Sequence, residues 1–398
     1  MSPTKWFIAF LFLFTVQHIK IADGIPVTAI LLLGLAGWAL HRRLVRLRRR
    51  LAGIYLAIVG TSVASFIING GQSSFASMAY LLLLTTPFVL SIRPAAARAL
   101  TTPGDFHEGF RRFMIVAILL GAVQMVMGGD FFSVRSLLPE DLLLEGFNTS
   151  NQMEVGSFYI YRSNGFFFLE PSFFSQYLAF AILFEMRTRR HLPTIALMLV
   201  GMAMSLSGSG FMLLTIGLFV MGLRARSSIA ILYSLAPVLV AGIAIVYFLP
   251  SLADRVTELN DEDKSGYWRF VMPILYVYES YSSSVVSMLF GVGPGAAKND
   301  VLTALMAYSS GIGKVLYENG LLGGVPIIMI YHRFIMESFG ERWFSISMLF
   351  FILVVNCGVQ EPMTLMVVLL FAWFGAPALS PRRMPSRRAS SSLRPGVA

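Results

Sequence analysis

Apolar stretches recur along the whole chain, and each is long enough to cross a bilayer, which takes about 20 residues or somewhat fewer when flanking side chains reach the interface. A segment in hydrocarbon must satisfy its own backbone groups, so such stretches form helices. Of the 398 residues, 56% are hydrophobic and only 13% are charged. Charges this sparse cannot coat a soluble globule of this size, so most of the surface must face lipid. The sequence therefore predicts an all-α, polytopic membrane protein.

The hydropathy pattern predicts about twelve transmembrane helices. Lys20 and Asp23 follow the first stretch without a small-residue cleavage pattern, so we expect it to stay as a helix rather than be removed as a signal. The predicted spans are residues 5–21, 25–41, 51–68, 74–91, 113–128, 172–186, 192–206, 210–223, 229–248, 315–332, 344–357 and 363–378.

The spans make residues 1–378 a single membrane domain, and the basic, Ser- and Pro-rich residues 379–398 have the composition of a disordered tail. Most Lys and Arg residues fall in loops of one parity, above all in His41–Arg50 and in this tail. The positive-inside rule then places both termini in the cytoplasm. The basic surplus reflects this topology and contact with anionic membrane lipids, and we expect no nucleic-acid partner.

Two connections on the outer face are far longer than the others, at about residues 129–171 and 250–314. The first ends in the stretch Tyr161–Gln176, in which an Arg, a Gly, a run of Phe and a Glu-Pro pair lead into an apolar helix. Pro171 suits the first turn of that helix, because its missing N–H would have no partner there. Ionisable side chains at a membrane entrance are candidates for function.

The second long connection starts with a mixed charge cluster at residues 254–264, and aromatic residues follow it, as in a helix that lies in the headgroup layer. It continues into Gly291-Val292-Gly293-Pro294-Gly295 and reaches Glu318-Asn319-Gly320 at the next span. The glycine run follows no strand of a βαβ unit, so it is not a dinucleotide fingerprint, and a flexible turn is its simpler interpretation.

Cysteine and histidine give no sign of a metal site. The one cysteine, Cys357, has no disulfide partner within the chain and fits a small core position. Because no Cys/His cluster has ligand spacing, we expect neither a structural zinc nor any other cofactor.

Four short signatures together resemble the bacterial Wzy-type polysaccharide polymerases, with the O-antigen ligases as more distant relatives. They are Arg162-x-x-Gly-aromatic-x-x-x-Glu-Pro-Ser172, Ser205-Leu-Ser-Gly-Ser-Gly210, the Gly291–Gly295 turn and Glu318-Asn-Gly-Leu-Leu-Gly323. The resemblance implies a membrane glycosyltransferase of the GT-C type. Such an enzyme moves a glycan from an undecaprenyl-pyrophosphate carrier to an acceptor sugar at the outer face of the inner membrane. It further implies partners such as a chain-length regulator and other polysaccharide assembly proteins.

One departure from the resemblance separates polymerase from ligase. The ligases and many polymerases carry a His in the second long loop, where this chain reads Ala307-Tyr-Ser-Ser-Gly311. Of the five histidines, His41, His107, His191 and His332 are predicted on the cytoplasmic side, and only His18 approaches the outer face. The absence of this His argues against a ligase and favours a polymerase.

The chemistry of transfer from a lipid diphosphate suggests roles for particular residues. Cations must stabilise the departing diphosphate, and Arg does so with two hydrogen bonds at once. A carboxylate must take the proton from the attacking hydroxyl, and Glu170 and Glu318 stand at helix entrances where they can do this. The cation candidates on the outer side are Arg162, Arg269 and Arg255, followed by Lys264, Lys298 and Lys314.

Each of these residues also has a structural explanation. Arg162 and Glu170 can pair with each other to fix the loop, and Glu318 can stabilise a helix start. Arg269, beside Tyr267 and Trp268, suits an interfacial anchor, and Arg255 suits a solvated face.

Other classes of protein remain open on the sequence alone. A flippase or transporter of lipid-linked sugars would need ionisable residues in mid-span, which this chain lacks apart from Glu185 near a helix end. A non-catalytic membrane subunit would have no use for the external Arg and Glu residues.

Overall fold

The structure is a computed structural model, and it describes residues 1–22, 25–127, 132–144, 152–155, 158–188, 191–223, 267–298, 311–356 and 360–375. These residues are mostly helical and contain fourteen α-helices. The helices are α1 (Pro3–Val16), α2 (Val27–His41), α3 (Arg49–Ile68), α4 (Phe75–Thr85), α5 (Pro94–Leu100), α6 (Pro103–Met127), α7 (Pro171–Thr188), α8 (Leu192–Ser205), α9 (Gly208–Leu223), α10 (Met272–Ser283), α11 (Val285–Phe290), α12 (Gly311–Phe339), α13 (Arg342–Phe350) and α14 (Pro362–Leu370).

Short strands, which the all-α prediction did not include, form three two-stranded antiparallel sheets in the described part of the chain. They lie in connections between helices and do not form a layer of their own. One sheet joins the connection between α2 and α3 to the connection between α4 and α5. The strands are β1 (Lys20–Ala22) with β2 (Ile25–Pro26), β3 (Val45–Leu47) with β4 (Leu90–Ile92), and β5 (Gln152–Val155) with β6 (Phe158–Tyr161).

Two of the described helices, α3 and α6, are long and apolar enough to cross a bilayer. Seven further apolar helices are shorter, at 10–17 residues, among them Phe75–Val89, Arg342–Val355 and Pro362–Gly375. The last two continue α13 and α14 with a turn of π-type hydrogen bonding. The predicted span 229–248, Cys357 and the predicted tail lie outside the described residues.

Helix α7 is the centre of the described structure. Every residue from Phe173 to Glu185 is buried, which is the pattern of a helix enclosed on all sides. Helices α8 and α9 pack along it, and its phenylalanines meet those of α6 and the last helix. Phe371 lies where these elements meet, with the rings of Phe106, Phe110, Phe180 and Phe184 edge-on to it at centroid distances of 4.6–4.9 Å. The Glu-Pro-Ser stretch therefore leads into the most enclosed helix.

Candidate active site

The first signature forms the entrance to α7. The helix begins at Pro171, as predicted, and the carbonyl of Glu170 accepts its first helical hydrogen bond from the N–H of Phe174 at 3.2 Å. The Glu170 side chain is only 7% exposed, and its Oε2 accepts a hydrogen bond from the Ser172 hydroxyl at 2.8 Å. Arg162 follows β6 directly and is half-buried. The loop from Arg162 to Glu170 thus carries both candidate charges at the mouth of a buried helix.

The second signature is the tight connection between α8 and α9, and it lies against the first. Leu206 has a left-handed backbone conformation that ends α8, with φ of 46°. A Cβ on Gly210 would overlap the hydroxyl and carbonyl oxygens of Ser175, so only glycine permits this approach of α9 to α7. The Ser209 hydroxyl donates to the Ser172 carbonyl at 3.4 Å, and the Ser175 hydroxyl donates to the Ser207 carbonyl at 3.2 Å. The two signatures form one contact.

The third and fourth signatures also meet, in what we call the glycine junction (residues 291–295 and 317–320). The N–H groups of Val292 and Gly293 donate to the carbonyls of Tyr317 and Glu318, at 3.0 and 3.1 Å. A Cβ on Gly291 would lie 2.5 Å from the Glu318 carbonyl, and one on Gly320 would overlap the backbone N–H of Gly291. Two backbones therefore touch where neither can carry a side chain.

The carbonyl groups that accept these hydrogen bonds lie just before a break in α12 at Gly320. Gly320 has φ of 60° and ψ of −165°, a combination open almost only to glycine, and it interrupts the helix. In an unbroken helix the carbonyls of Tyr317 and Glu318 would accept from residues four positions further on. Here they accept from the glycine turn instead. That turn, which we expected to be flexible, is a fixed partner of the helix break, and Gly291, Gly293 and Gly295 all have positive φ.

Glu318 lies in the last turn before this break, and its side chain is 2% exposed. Its Oε2 accepts a hydrogen bond from the Gln360 amide at 3.4 Å, while its Oε1 receives none from the residues that the structure describes. Because α12 begins at Gly311, Glu318 lies well inside its first segment, two residues before the break at Gly320 where the second segment starts. A carboxylate buried with an unused oxygen is costly unless a ligand donates to it, so Glu318 is the strongest catalytic candidate.

The start of the last helix adds residues that the sequence analysis missed. Glu361 caps α14 by accepting from the N–H groups of Met363 and Thr364, at 3.0 and 2.5 Å. Burial raises the pKa of the Glu361 carboxyl, although these hydrogen bonds oppose the rise. Glu361-Pro362 repeats the Glu170-Pro171 pattern at another helix start, and this repeat was the signal available in the sequence.

Hydrogen bonds connect the last helix to α7 and to the end of α13. The Thr364 hydroxyl lies 3.1 Å from the Tyr177 hydroxyl and accepts from the Asn356 amide at 2.6 Å. The amide of Gln176 donates to the Val355 carbonyl at 3.3 Å and to the Ser209 hydroxyl at 3.2 Å. These bonds join α7 and the second signature to the end of α13 and to the last helix, and Gln360, just before that helix, donates to Glu318 of the fourth signature.

The structure describes some of the remaining cation candidates in full, some by their backbone alone and some not at all. Arg269 lies in the π-helical turn Tyr267–Val271 that precedes α10, and α10 packs along α12, with the Tyr281 hydroxyl donating to the Leu316 carbonyl at 3.1 Å. Its backbone therefore directly precedes a helix that packs against the one carrying Glu318. Lys314 lies one helical turn before Glu318 and is half-buried. Arg255 and Lys264 lie outside the described residues, as does the side chain of Lys298.

His18 has a structural position. Its ring is 3% exposed, and its Nε2 lies 2.8 Å from the Phe167 carbonyl, which also accepts from the Gln17 amide at 2.8 Å. The ring nitrogen donates to the loop that carries Arg162 and Glu170, and so it supports that loop.

A mostly helical chain with several apolar helices and buried carboxylates beside helix starts and breaks fits the class of membrane glycosyltransferases. The sequence matches the family model described as WcaD colanic acid polymerase over residues 7–373. The chain therefore belongs to this family of Wzy-type exopolysaccharide polymerases, which confirms the resemblance. No curated protein matches the chain.

Proposed function

We propose that the chain polymerises undecaprenyl-pyrophosphate-linked oligosaccharide repeat units at the outer face of the bacterial inner membrane. The product is an exopolysaccharide, capsule or O-antigen chain. Membership of a family of exopolysaccharide polymerases supports the reaction class and a lipid-linked glycan substrate. The observation that supports the choice of site is buried Glu318, one of whose carboxylate oxygens accepts no hydrogen bond from the described residues.

The proposed step is a displacement at the anomeric carbon of the donor. The hydroxyl oxygen of the acceptor sugar forms the new bond to that carbon, and the bond from the carbon to the diphosphate oxygen breaks. Glu318 takes the hydroxyl proton, and undecaprenyl diphosphate leaves with the electron pair. Glu170, just before the start of α7, is the second carboxylate proposed for this proton.

Arginines are proposed to bind the diphosphate. Arg162 lies in the loop that leads into α7, and the backbone of Arg269 lies in the turn before α10, the helix that packs along α12. Guanidinium groups hold phosphate oxygens with paired hydrogen bonds and would stabilise the negative charge that grows on the leaving group. Arg255 is proposed for the same role from the sequence alone.

The topology belongs to the same proposal. About twelve membrane crossings would form one domain over residues 1–378, with both termini cytoplasmic and a basic tail after Leu379. The partners proposed are membrane lipids, a chain-length regulator and other polysaccharide assembly proteins.

The test is glycan chain length in cells that carry Glu318→Gln, Glu170→Ala or Arg162→Ala at wild-type protein level, with the lipid-linked single unit quantified on each membrane face. We expect Glu318→Gln to lower polymer formation by about 100-fold or more, because it removes the proton acceptor and keeps the shape. The single unit should then accumulate on the outer face. Glu279→Gln, an exposed change on α10, is the matched control. Accumulation on the cytoplasmic face would instead identify a flippase.

A further inference from the structure

A single glutamine in α6 holds the loop that carries Arg162 and Glu170. Gln124 is fully buried, at 0% exposure, in the apolar second half of a helix that is long enough to cross a bilayer. Its Oε1 accepts hydrogen bonds from the Ser163 hydroxyl at 3.1 Å and from the Asn164 N–H at 3.0 Å. Both donors directly follow Arg162. A polar side chain at this depth is costly in hydrocarbon, which makes a role for it in the site the first hypothesis.

The nitrogen of the same amide holds the loop from a second side. Gln124 Nε2 donates to the Phe132 carbonyl at 2.9 Å and to Asn164 Oδ1 at 2.8 Å. The Asn164 amide in turn donates to the Phe168 carbonyl at 2.8 Å, two residues before Glu170. An amide has two N–H donors and two acceptor lone pairs, so Gln124 uses all four. Its orientation, and that of Asn164, is fixed by these partners.

The backbone between the two charges has an unusual shape that needs such support. Gly165 and Phe166 both have positive φ, 63° and 68°, and non-glycine residues seldom adopt this conformation. A Cβ on Gly121, one turn before Gln124, would lie 2.5 Å from the Ser163 hydroxyl. Helix α6 therefore approaches the loop closely, and Gln124 makes the hydrogen bonds across that contact.

We propose that Gln124 is a positioning residue for the transfer reaction. Its hydrogen bonds to Ser163 and Asn164 hold this part of the loop against α6, and Asn164 in turn donates a hydrogen bond to the Phe168 carbonyl. Together these bonds set the separation of Arg162 and Glu170. The inference rests on the roles proposed above for Arg162 and Glu170. Gln124 itself touches no substrate in this account. It acts through the amide pair it forms with Asn164.

The test compares the turnover of purified full-length variants in nanodiscs, with the lipid-linked repeat unit as substrate. Gln124→Leu removes all four hydrogen bonds, and Gln124→Glu keeps the two that Oε1 accepts and loses the two that Nε2 donates. We expect kcat per folded molecule to fall about 10- to 100-fold for Leu, as for a misplaced group, with a smaller fall for Glu and little change in KM. Met114→Ala, a buried change in the same helix, should lower the folded fraction and leave kcat per folded molecule unchanged.

Arg162→Ala is measured in parallel to separate this inference from the proposed function. If Arg162→Ala abolishes turnover and both folded Gln124 variants retain the wild-type kcat, the positioning role is wrong while the proposed function stands. If Arg162→Ala leaves turnover unchanged, the role of Arg162 and the positioning role of Gln124 fall together, while the turnover itself upholds the polymerase function. Should Gln124→Leu fail to fold, the kcat of Gln124→Glu decides alone, because that change preserves size.

Discussion

Two parts of the candidate site are built in opposite ways. The loop from Arg162 to Glu170 is held by side chains, chiefly the amides of Gln124 and Asn164 and the donors Gln17 and His18. The two segments of the glycine junction are joined by backbone groups, the N–H groups of Val292 and Gly293, and the Asn69 amide adds one side-chain bond to the Gly291 carbonyl. The first can lose one hydrogen bond and keep its path. The glycine junction has no room for an added Cβ, so we expect substitutions there to lower stability more than substitutions in the loop.

The difference also separates the two carboxylates. Glu170 lies beside a hydroxyl that donates to it, at the start of an intact helix. Glu318 lies at a helix break whose freed carbonyls are used by the glycine turn, and one of its oxygens has no donor among the described residues. Rigid backbone around a polar group of this kind is typical of a preorganised site. The comparison therefore favours Glu318 as the proton acceptor.

The largest effect on stability is expected from Gly320→Ala. The residue would need a backbone conformation nearly closed to alanine, and its Cβ would overlap the Gly291 backbone, which cannot rotate away. We expect a loss of about 4 kcal/mol or more, seen as little monodisperse protein after extraction. Gly60→Ala is the matched control, because its Cβ would meet nothing within 4 Å. Equal yields of the two variants would show that the junction is not rigid.

A smaller loss is expected from Gly165→Ala in the side-chain-held loop. Here φ is 63°, and the new Cβ would lie 2.6 Å from the buried ring of Phe174. A left-handed alanine and a crowded ring together should cost about 2–4 kcal/mol, measured as a lower unfolding temperature in detergent. If this variant proves less stable than Gly320→Ala, the ranking of the two regions is reversed.

The smallest effect is expected from Glu361→Ala. This change removes the side chain that caps α14 and leaves both carboxylates of the proposed reaction in place. Loss of an N-cap costs about 1 kcal/mol, so a modest drop in unfolding temperature with polymer of near-normal length should result. Polymer loss as complete as in Glu318→Gln, at normal protein level, would instead make Glu361 part of the chemistry.

The sequence predicted the parts of this site that depend on local chemistry. Pro171 indicated where α7 begins, and the four signatures indicated the family. Contacts between distant segments were not predictable, because periodicity reports only whether a residue is buried. In the sequence Gly291 belongs to a predicted turn and Gly320 to a signature at the next span, and only their contact in space shows why both must be glycine. Gln124 looked like one polar residue in an apolar span. The pairing of β3 with β4 likewise joins residues far apart in the chain.

The most direct test of the proposed function is a reaction with purified full-length protein in nanodiscs and the lipid-linked repeat unit as the only substrate. We expect a ladder of multiples of the unit, each new linkage accompanied by one released undecaprenyl diphosphate, and neither product with Glu318→Gln. A wild-type protein that forms no ladder, or a Glu318→Gln variant that forms a normal one, would contradict the account.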